Sequence, residues 1–357
     1  MAFYAELILN WYDQNKRELP WRALSEQVPD PYHVLISEFM LQQTQVATVI
    51  PYYKRFLERF PTLQDLAKAE LEEVIAVWSG LGYYVRVRNL HRCAKQLCTM
   101  GGKFPQTMEE LKALPGIGNY TAAAILAIAF NKAVVPVDGN VERVTARLFG
   151  IMEPLPSAKA KCARLAATLN RYGDATERAS DFAQALFDIG ATICKPKKPL
   201  CLLCPLAIRC EALRKNLTDE LPRRKPKVTR PVKNGIHFCL MNHTGDVLFR
   251  KRPVNGLLGG TLELPGTPWR TQIWSLSEAM SYSPCAVGWH YGGKVKHNFT
   301  HFLLNLEIYV YRCDPLPNAS NNGSLWYSSV DMVNQPFSTL MRKTVGVGYK
   351  AITRLNL

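Results

Sequence analysis

Four cysteines fall within the seventeen residues of "CKPKKPLCLLCPLAIRC" (194–210), separated by six, two and five residues. Thiolates bind soft metals, so the spacing of Cys194, Cys201, Cys204 and Cys210 points first to metal chemistry. A structural zinc site usually draws its ligands as two pairs with a longer stretch between them. Here all four sulfurs come from one compact loop, which suits a cubane iron–sulfur cluster, each iron taking one thiolate. Zinc and a metal-free loop are the alternatives on spacing alone. Lys195, Lys197, Lys198 and Arg209 in the same loop can partly balance an anionic cluster or face phosphate.

A second stretch, "LPGIGNYTAAAIL" (114–126), has helical sequence on both sides of a Pro-Gly-x-Gly turn. Gly116 and Gly118 carry no side chain, so the backbone can come close to another molecule. The helix that follows offers free N–H groups and the positive end of its dipole, which together favour an anion. A hairpin of this kind grips a phosphate without reading a base. A plain helix–helix turn is the alternative. The chain carries a formal net charge of +15, from 44 Lys and Arg against 29 Asp and Glu. That excess favours a polyanionic partner, nucleic acid foremost.

The 357 residues, 47% of them hydrophobic, suffice for two domains with proper cores. No apolar run approaches the roughly 20 residues needed to cross a bilayer. The first residues, "MAFYAELILNWYDQNKRELPWR", interleave charged and apolar positions and lack the pattern of a secretory signal. The expectation is a soluble protein in a reducing compartment, where ten cysteines do not form structural disulfides. Cys93, Cys98, Cys162, Cys239, Cys285 and Cys313 are then small core residues.

Up to about residue 213 the pattern is helical. In "DPYHVLISEFMLQQTQVATVIPYYKRFLERF", Asp30 is an N-cap and Pro31 the first helical residue, and apolar spacing runs on until Pro51 punctuates it. "VERVTARLF" and "RASDFAQALFDIGATIC" continue the theme. Residues 214–233 hold eight basic residues, two acidic ones and three prolines, and read as a basic, extended linker. Beyond it the period changes to two. "IHFCLMNHTGDVLFRKR" reads as a hairpin about Thr244–Gly245–Asp246, and "FLLNLEIYVYR" alternates as a strand does.

The hairpin "LPGIGNYTAAAI", the segment "VDGNVERVTARLF" and the four-cysteine loop resemble the endonuclease III superfamily of DNA glycosylases. "ISEFMLQQTQV" (36–46), "WSGLGYYVRVRNLH" (78–91) and "HNFTHF" (297–302) narrow the resemblance to the MutY family of adenine DNA glycosylases. The resemblance implies an all-α helix–hairpin–helix glycosylase domain at 1–213. Its six-helix part covers about 24–131, and its iron–sulfur part covers 1–23 and 132–213. It further implies one 4Fe–4S cluster per chain on the four cysteines, a linker at 214–233, and an α+β Nudix-like (MutT-like) domain at 234–357. The implied partner is double-stranded DNA with adenine opposite 8-oxoguanine or guanine, bound by a monomer in the bacterial cytoplasm and used at the nucleoid, with no membrane attachment.

Adenine is a poor leaving group. Its excision needs a proton on the base and stabilisation of a cationic sugar, work for one protonated and one ionised carboxyl. Glu38 has Val34, Leu41 and Gln42 on its own helical face, and an apolar border disfavours its charged form. The alternative for Glu38 is a solvated helix face. The resemblance makes it the general acid and Asp138 the catalytic aspartate, supported by Asn140. "DGN" is also a turn or N-cap sequence, and a carboxylate at a helix start is expected to stay ionised. Tyr120 stands where endonuclease III has a Schiff-base lysine; lacking an amine, it argues for a monofunctional enzyme. Gln42 and Tyr83 match the positions that fill the space left by the flipped adenine.

In the second domain the resemblance assigns Phe299, Thr300 and His301 to contact with the lesion. Thr300 stands where serine is common, and Leu258 replaces a usual tryptophan. Glu263 and Glu278 do not make the carboxylate cluster of a Nudix hydrolase, so pyrophosphatase activity is not expected. Two other classes remain to be separated from this reading: a bifunctional lyase acting on oxidised pyrimidines, and a damage-binding protein without activity.

Overall fold

The computed structural model describes residues 2–23, 27–171, 173–225, 229–253, 256–286, 288–313, 324–328 and 331–356. The chain folds as two compact units. One comprises residues 1–68 and 89–227, the other 69–88 and 228–357.

The first unit is helical. Its α-helices are α1 (Ala2–Asn15), α2 (Pro31–Leu41), α3 (Val46–Arg59), α4 (Leu63–Lys68), α7 (Met108–Lys112), α8 (Asn119–Phe130), α9 (Gly139–Leu148), α10 (Lys159–Thr168), α11 (Asp174–Glu177), α12 (Ala179–Asp188) and α13 (Glu211–Arg214). Two more, α5 (Leu71–Trp78) and the start of α6 (Val85–Thr99), lie within residues that group with the second unit. α2 begins as its sequence indicates: Asp30 caps it by accepting from the Tyr32 N–H at 2.7 Å, with Pro31 at the first turn. The apolar run does not continue unbroken to Pro51. Gln43 takes a left-handed backbone (φ 56°), which ends α2, and Pro51 lies inside α3, where its missing N–H forgoes one backbone bond.

α8 is apolar all round and buried from Thr121 to Ala129, a central helix against which α2, α7 and α12 pack. The amphipathic α9 buries Val141, Val144 and Leu148 in a core shared with α1 and α12. After Asp188 the helix widens into a π turn, Ile189–Ile193, which delivers the chain to Cys194.

Part of the basic segment is ordered. The Leu155 N–H donates to the Arg223 carbonyl at 2.8 Å, and the Lys225 N–H to the Leu155 carbonyl at 3.3 Å. Residues 226–228 of that segment, like 24–26 near the start of the six-helix part, lie outside the described residues.

The second unit is built on a sheet of β1 (Val232–Met241), β2 (Val247–Lys251), β3 (Leu262–Glu263), β4 (His290–Asn298), β5 (Leu303–Arg312) and β6 (Ser324–Tyr327), with α14 (Leu276–Ala279) and α15 (Thr339–Leu355). The strand order is β3-β2-β1-β5-β4, with β6 pairing β2. The hairpin expected about Thr244–Gly245–Asp246 joins β1 to β2, with Met241 opposite Val247. β5 alternates buried and half-buried residues along its length, as its period of two requires, and α15 covers one face of the sheet. β4 and β5 close with Asn298 opposite Leu303, so residues 299–302 form the connecting turn, braced by the Phe299 N–H donating to the Phe302 carbonyl at 2.9 Å.

Candidate active site

A cleft of about 1070 Å³ opens in the first unit, and Glu38, Gln42, Gly116, Gly118, Tyr120, Asp138 and Asn140 all line it. Residues from α2, the hairpin, α8 and α9 therefore meet at one site, although the sequence scatters them over a hundred positions.

Glu38 is 4% exposed. Burial lifts its carboxyl to about 7, against a hydrogen bond from Tyr120 that lowers it and a smaller upward push from Asp138. One oxygen, Oε2, is buried without a hydrogen-bond partner. A buried polar atom left unpaired is costly, and here the atom belongs to a side chain on the cleft wall. The Tyr120 phenol is pushed well above its ordinary range, by burial first and then by Glu38 and Asp138, so it remains a donor.

Asp138 is the N-cap of α9. Its Oδ1 accepts from the Asn140 and Val141 N–H groups at 2.9 and 2.8 Å, and Oδ2 accepts from Asn140 Nδ2 at 2.8 Å. The helix start does not hold this acid below its ordinary range; its net shift is upward. Burial raises it, and the three hydrogen bonds and nearby Arg143 oppose that rise. Asn140 is fixed in turn by Arg143, whose Nη2 donates to Asn140 Oδ1 at 2.9 Å and to the Gly190 carbonyl at 2.7 Å. A Cβ on Gly190 would lie 2.6 Å from that of Asn140, so only glycine permits this approach.

The hairpin glycines differ. Gly116 has φ +78°, and a Cβ there would strike Asn89 at 2.7 Å and Phe39 at 2.9 Å, so packing within the chain already requires it. Gly118 is the N-cap of the twelve-residue α8 and has open space where a side chain would stand. Gln42 closes α2, its Nε2 3.4 Å from Thr121 Oγ1.

The four loop cysteines are unpaired and line one cavity with apolar neighbours such as Ile189, Ile193 and Leu206. Arg147 stands against them, 2% exposed. Its donors reach the carbonyls of Leu221, Lys195 and Pro196 at 2.8, 2.7 and 3.1 Å and Cys194 Sγ at 3.3 Å. Among the described residues it meets no carboxylate. A buried guanidinium needs a counter-charge, and the sulfur side of its shell is where an anionic thiolate group would supply it. Among the described residues no set of three His, Cys, Asp or Glu side chains stands ready to hold a single metal ion. The four thiols line one cavity together, as the ligands of a shared group would.

Arg143 and Arg147 went unremarked in the sequence. Their signal was a pair of arginines four apart on the face of α9 that also carries Val144 and Leu148. Asp188 was also missed. It is fully buried and binds Arg22 through both oxygens at 2.8 and 2.7 Å and Arg17 Nε at 2.6 Å, fixing two arginines of the "KRELPWR" segment that line the cleft.

Tyr83, Phe299, Thr300 and His301 belong to the second unit. Tyr83 is 43% exposed with a left-handed backbone (φ 50°), and its hydroxyl lies 3.0 Å from Thr300 Oγ1. Thr300 and His301 are exposed at the β4–β5 turn, while Phe299 packs inward on Trp269 and Phe302. Leu258 has φ 56° and leans on the core beneath the sheet. Glu263 pairs with Arg250 and Arg252, and Glu278 with Arg270 and the Ser275 N-cap, so neither carboxylate stands free for a cation.

Residues 36–167 match the HhH-GPD superfamily of base excision DNA repair proteins, and residues 236–346 match the NUDIX domain. The chain is similar to the adenine DNA glycosylase of Homo sapiens, 34% identical over 95% of this chain and 73% of that protein. It is similar also to that of Buchnera aphidicola subsp. Baizongia pistaciae, 32% identical over 92% of this chain and 91% of that one. Among solved structures, a thermostable thymine-DNA glycosylase aligns with a TM-score of 0.52 at 30% identity, covering 59% of this chain and 95% of its own. A trapped endonuclease III–DNA covalent intermediate aligns with a TM-score of 0.50 at 25% identity, covering 60% and 96%. Among the described residues no helix is long and apolar enough to cross a membrane.

Proposed function

The chain belongs to the family of adenine DNA glycosylases, and on that premise we propose that it excises adenine opposite 8-oxoguanine or guanine in duplex DNA without cutting the strand. It is a DNA glycosylase of base excision repair. The observation that carries the excision chemistry is Glu38, a buried acid near 7 whose Oε2 lacks a protein partner at the wall of the cleft.

Near neutral pH a good fraction of Glu38 holds its proton and can give it to a ring nitrogen of the departing purine. As the glycosidic bond breaks, its electron pair leaves with the base and the sugar becomes an oxocarbenium ion. Asp138, held by Asn140 and Val141, offers negative charge to that cation. Water adds to the anomeric carbon, and its proton returns to the Glu38 carboxylate. Tyr120 donates to Glu38 and has no amine, so it forms no Schiff base with the abasic sugar. Gln42 is assigned to the gap left by the flipped base, Tyr83 to contact with the duplex, and Gly118 at the α8 start to a phosphate. Phe299, Thr300 and His301 are assigned to the purine opposite.

Cys194, Cys201, Cys204 and Cys210 would hold a 4Fe–4S cluster, with Arg147 as counter-charge; bound there, the cluster supplies structural cross-linking of its loop. The Arg143 Nε bond to the Cys194 carbonyl, at 2.7 Å, supports a role in holding that loop against α9.

The test is excision from A·8-oxoguanine, A·G and A·T duplexes side by side. Faster release of adenine from the first two, with an intact abasic strand, is the expected result. Equal release from all three, or none, would overturn the reading.

A further inference from the structure

Glu263 is 3% exposed, yet it is a carboxylate on β3, between the core residues Leu262 and Leu264, and pairs with two arginines. Its Oε1 meets Arg250 Nε at 2.9 Å and its Oε2 meets Arg252 Nη1. A buried ion pair is weak evidence of added stability, because an apolar replacement of similar volume is often as stable. What such a pair does well is fix an orientation. Here the oriented group is the Arg252 guanidinium, which also donates from Nε to the Leu257 carbonyl at 3.1 Å and so has little freedom to turn.

Arg252 lies over the Trp269 ring, 5.0 Å from its centroid. On Trp269 converge Phe299, at 5.7 Å and 32°, and Phe302, at 6.2 Å and 54°. His237 stacks on the same indole at 6.4 Å, and burial beside Arg250 and Arg252 holds its imidazole neutral, so it adds no charge of its own. A Cβ on Gly235 would lie 2.8 Å from the indole, so Trp269 is pressed against the β1 backbone. Phe299 and Phe302 are the two ends of the β4–β5 turn, and Thr300 and His301 are its exposed middle. An unbroken chain of contacts therefore runs from Glu263 through Arg252 and Trp269 to both ends of that turn.

We propose that Glu263 is a positioning residue for the 299–302 turn, acting through Arg252 and Trp269, and thereby governs how the purine opposite the excised adenine is selected. The inference rests on the reading above that assigns this turn to that purine. With the carboxylate gone, Arg252 loses its anchor over the indole, Trp269 is free to shift, and Thr300 and His301 no longer sit at one fixed height.

The experiment measures single-turnover excision from A·8-oxoguanine and A·G duplexes, with each enzyme's active fraction fixed by titration. The variants are Glu263→Gln, Arg252→Met and, at the turn itself, Thr300→Ala with His301→Ala. Arg252→Met keeps an aliphatic stem over Trp269 and serves if Glu263→Gln does not fold. The ratio of the two rates should fall roughly three- to thirtyfold in both Glu263→Gln and Arg252→Met, the worth of a partly desolvated cation–π contact, with the loss on the 8-oxoguanine duplex. An unchanged ratio in these two, or an equal loss on both duplexes, while the turn variant still lowers the ratio, overturns the relay and leaves the assignment of the turn standing. An unchanged ratio in all variants overturns that assignment and the relay with it.

Discussion

Asn140 holds Asp138 by both carboxylate oxygens, its backbone N–H 2.9 Å from Oδ1 and its Nδ2 2.8 Å from Oδ2. Both bonds favour the ionised acid, against a burial that favours the neutral one. The residue thus opposes, together with Val141, the rise that burial imposes on Asp138. Asn140→Ala removes the side-chain bond, worth about 1.5–3 kcal/mol for a charged acceptor, so the excision rate should fall roughly ten- to a hundredfold. The acid side of the pH–rate profile should also move to higher pH, because Asp138 then ionises later. A profile that drops uniformly without moving would assign Asn140 to folding alone.

Glu38 has the opposite requirement. It must be protonated to act, and its carboxyl is lifted to about 7. Single-turnover excision should therefore decline about tenfold per pH unit above that value, as the proton is lost. Glu38→Gln should slow excision by roughly 100- to 10,000-fold and abolish the decline. An unaltered rate would remove Glu38 from the reaction.

Tyr120 tunes that acid. Its hydrogen bond lowers the Glu38 carboxyl, so Tyr120→Phe should raise it and carry the alkaline decline of the pH–rate profile upward. Because the wild-type phenol offers no amine, borohydride should trap no covalent DNA complex with the unaltered enzyme. Trapping at the efficiency of a bifunctional lyase would refute the monofunctional assignment.

The unusual state of Glu38 also weighs on stability. Its ordinary value is 4.5 and its folded value about 7. Between these the folded chain keeps a proton that the unfolded chain releases, so stability falls as pH rises through the window and stays low above it. Glu38→Gln removes that penalty, about 3 kcal/mol for a fully buried carboxyl. The variant should unfold at a higher temperature than the wild type at about pH 8, and the gap should close near pH 4.5. A wild type as stable as the variant at both would mean that Glu38 is solvated in the folded protein.

What could be read from the residues followed from the range of the interactions. The Asp30 cap with Pro31, and the cap that Asp138 gives α9, depend on neighbours two or three positions away, and both are legible in the sequence. The apolar flanks of Glu38 were equally local. The partners of Arg147 are carbonyls 48 to 74 residues distant, which leave no trace in side-chain pattern. Tyr83 and Thr300 are 217 residues apart, and only the grouping of 69–88 with the second unit brings them together. Pro51 misled for the converse reason. Local sequence reads it as a stop, whereas α3 keeps its path because the Tyr53 and Phe56 side chains are buried in the core.

The Arg147 guanidinium is buried, meets Cys194 Sγ at 3.3 Å, and otherwise binds only carbonyls. Left beside neutral thiols, it would be an uncompensated buried charge, which costs several kcal/mol. With a cluster on the four cysteines the same charge faces an anion. Purified protein should accordingly be yellow-brown and carry four irons per chain, and Arg147→Met should lose iron faster in the presence of a chelator than the wild type. The loss should track bleaching of the visible absorbance, a signal that a change in global stability at constant iron content does not move. A colourless, zinc-loaded and fully active preparation would show that the loop takes a different metal, and that Arg147 balances some other charge.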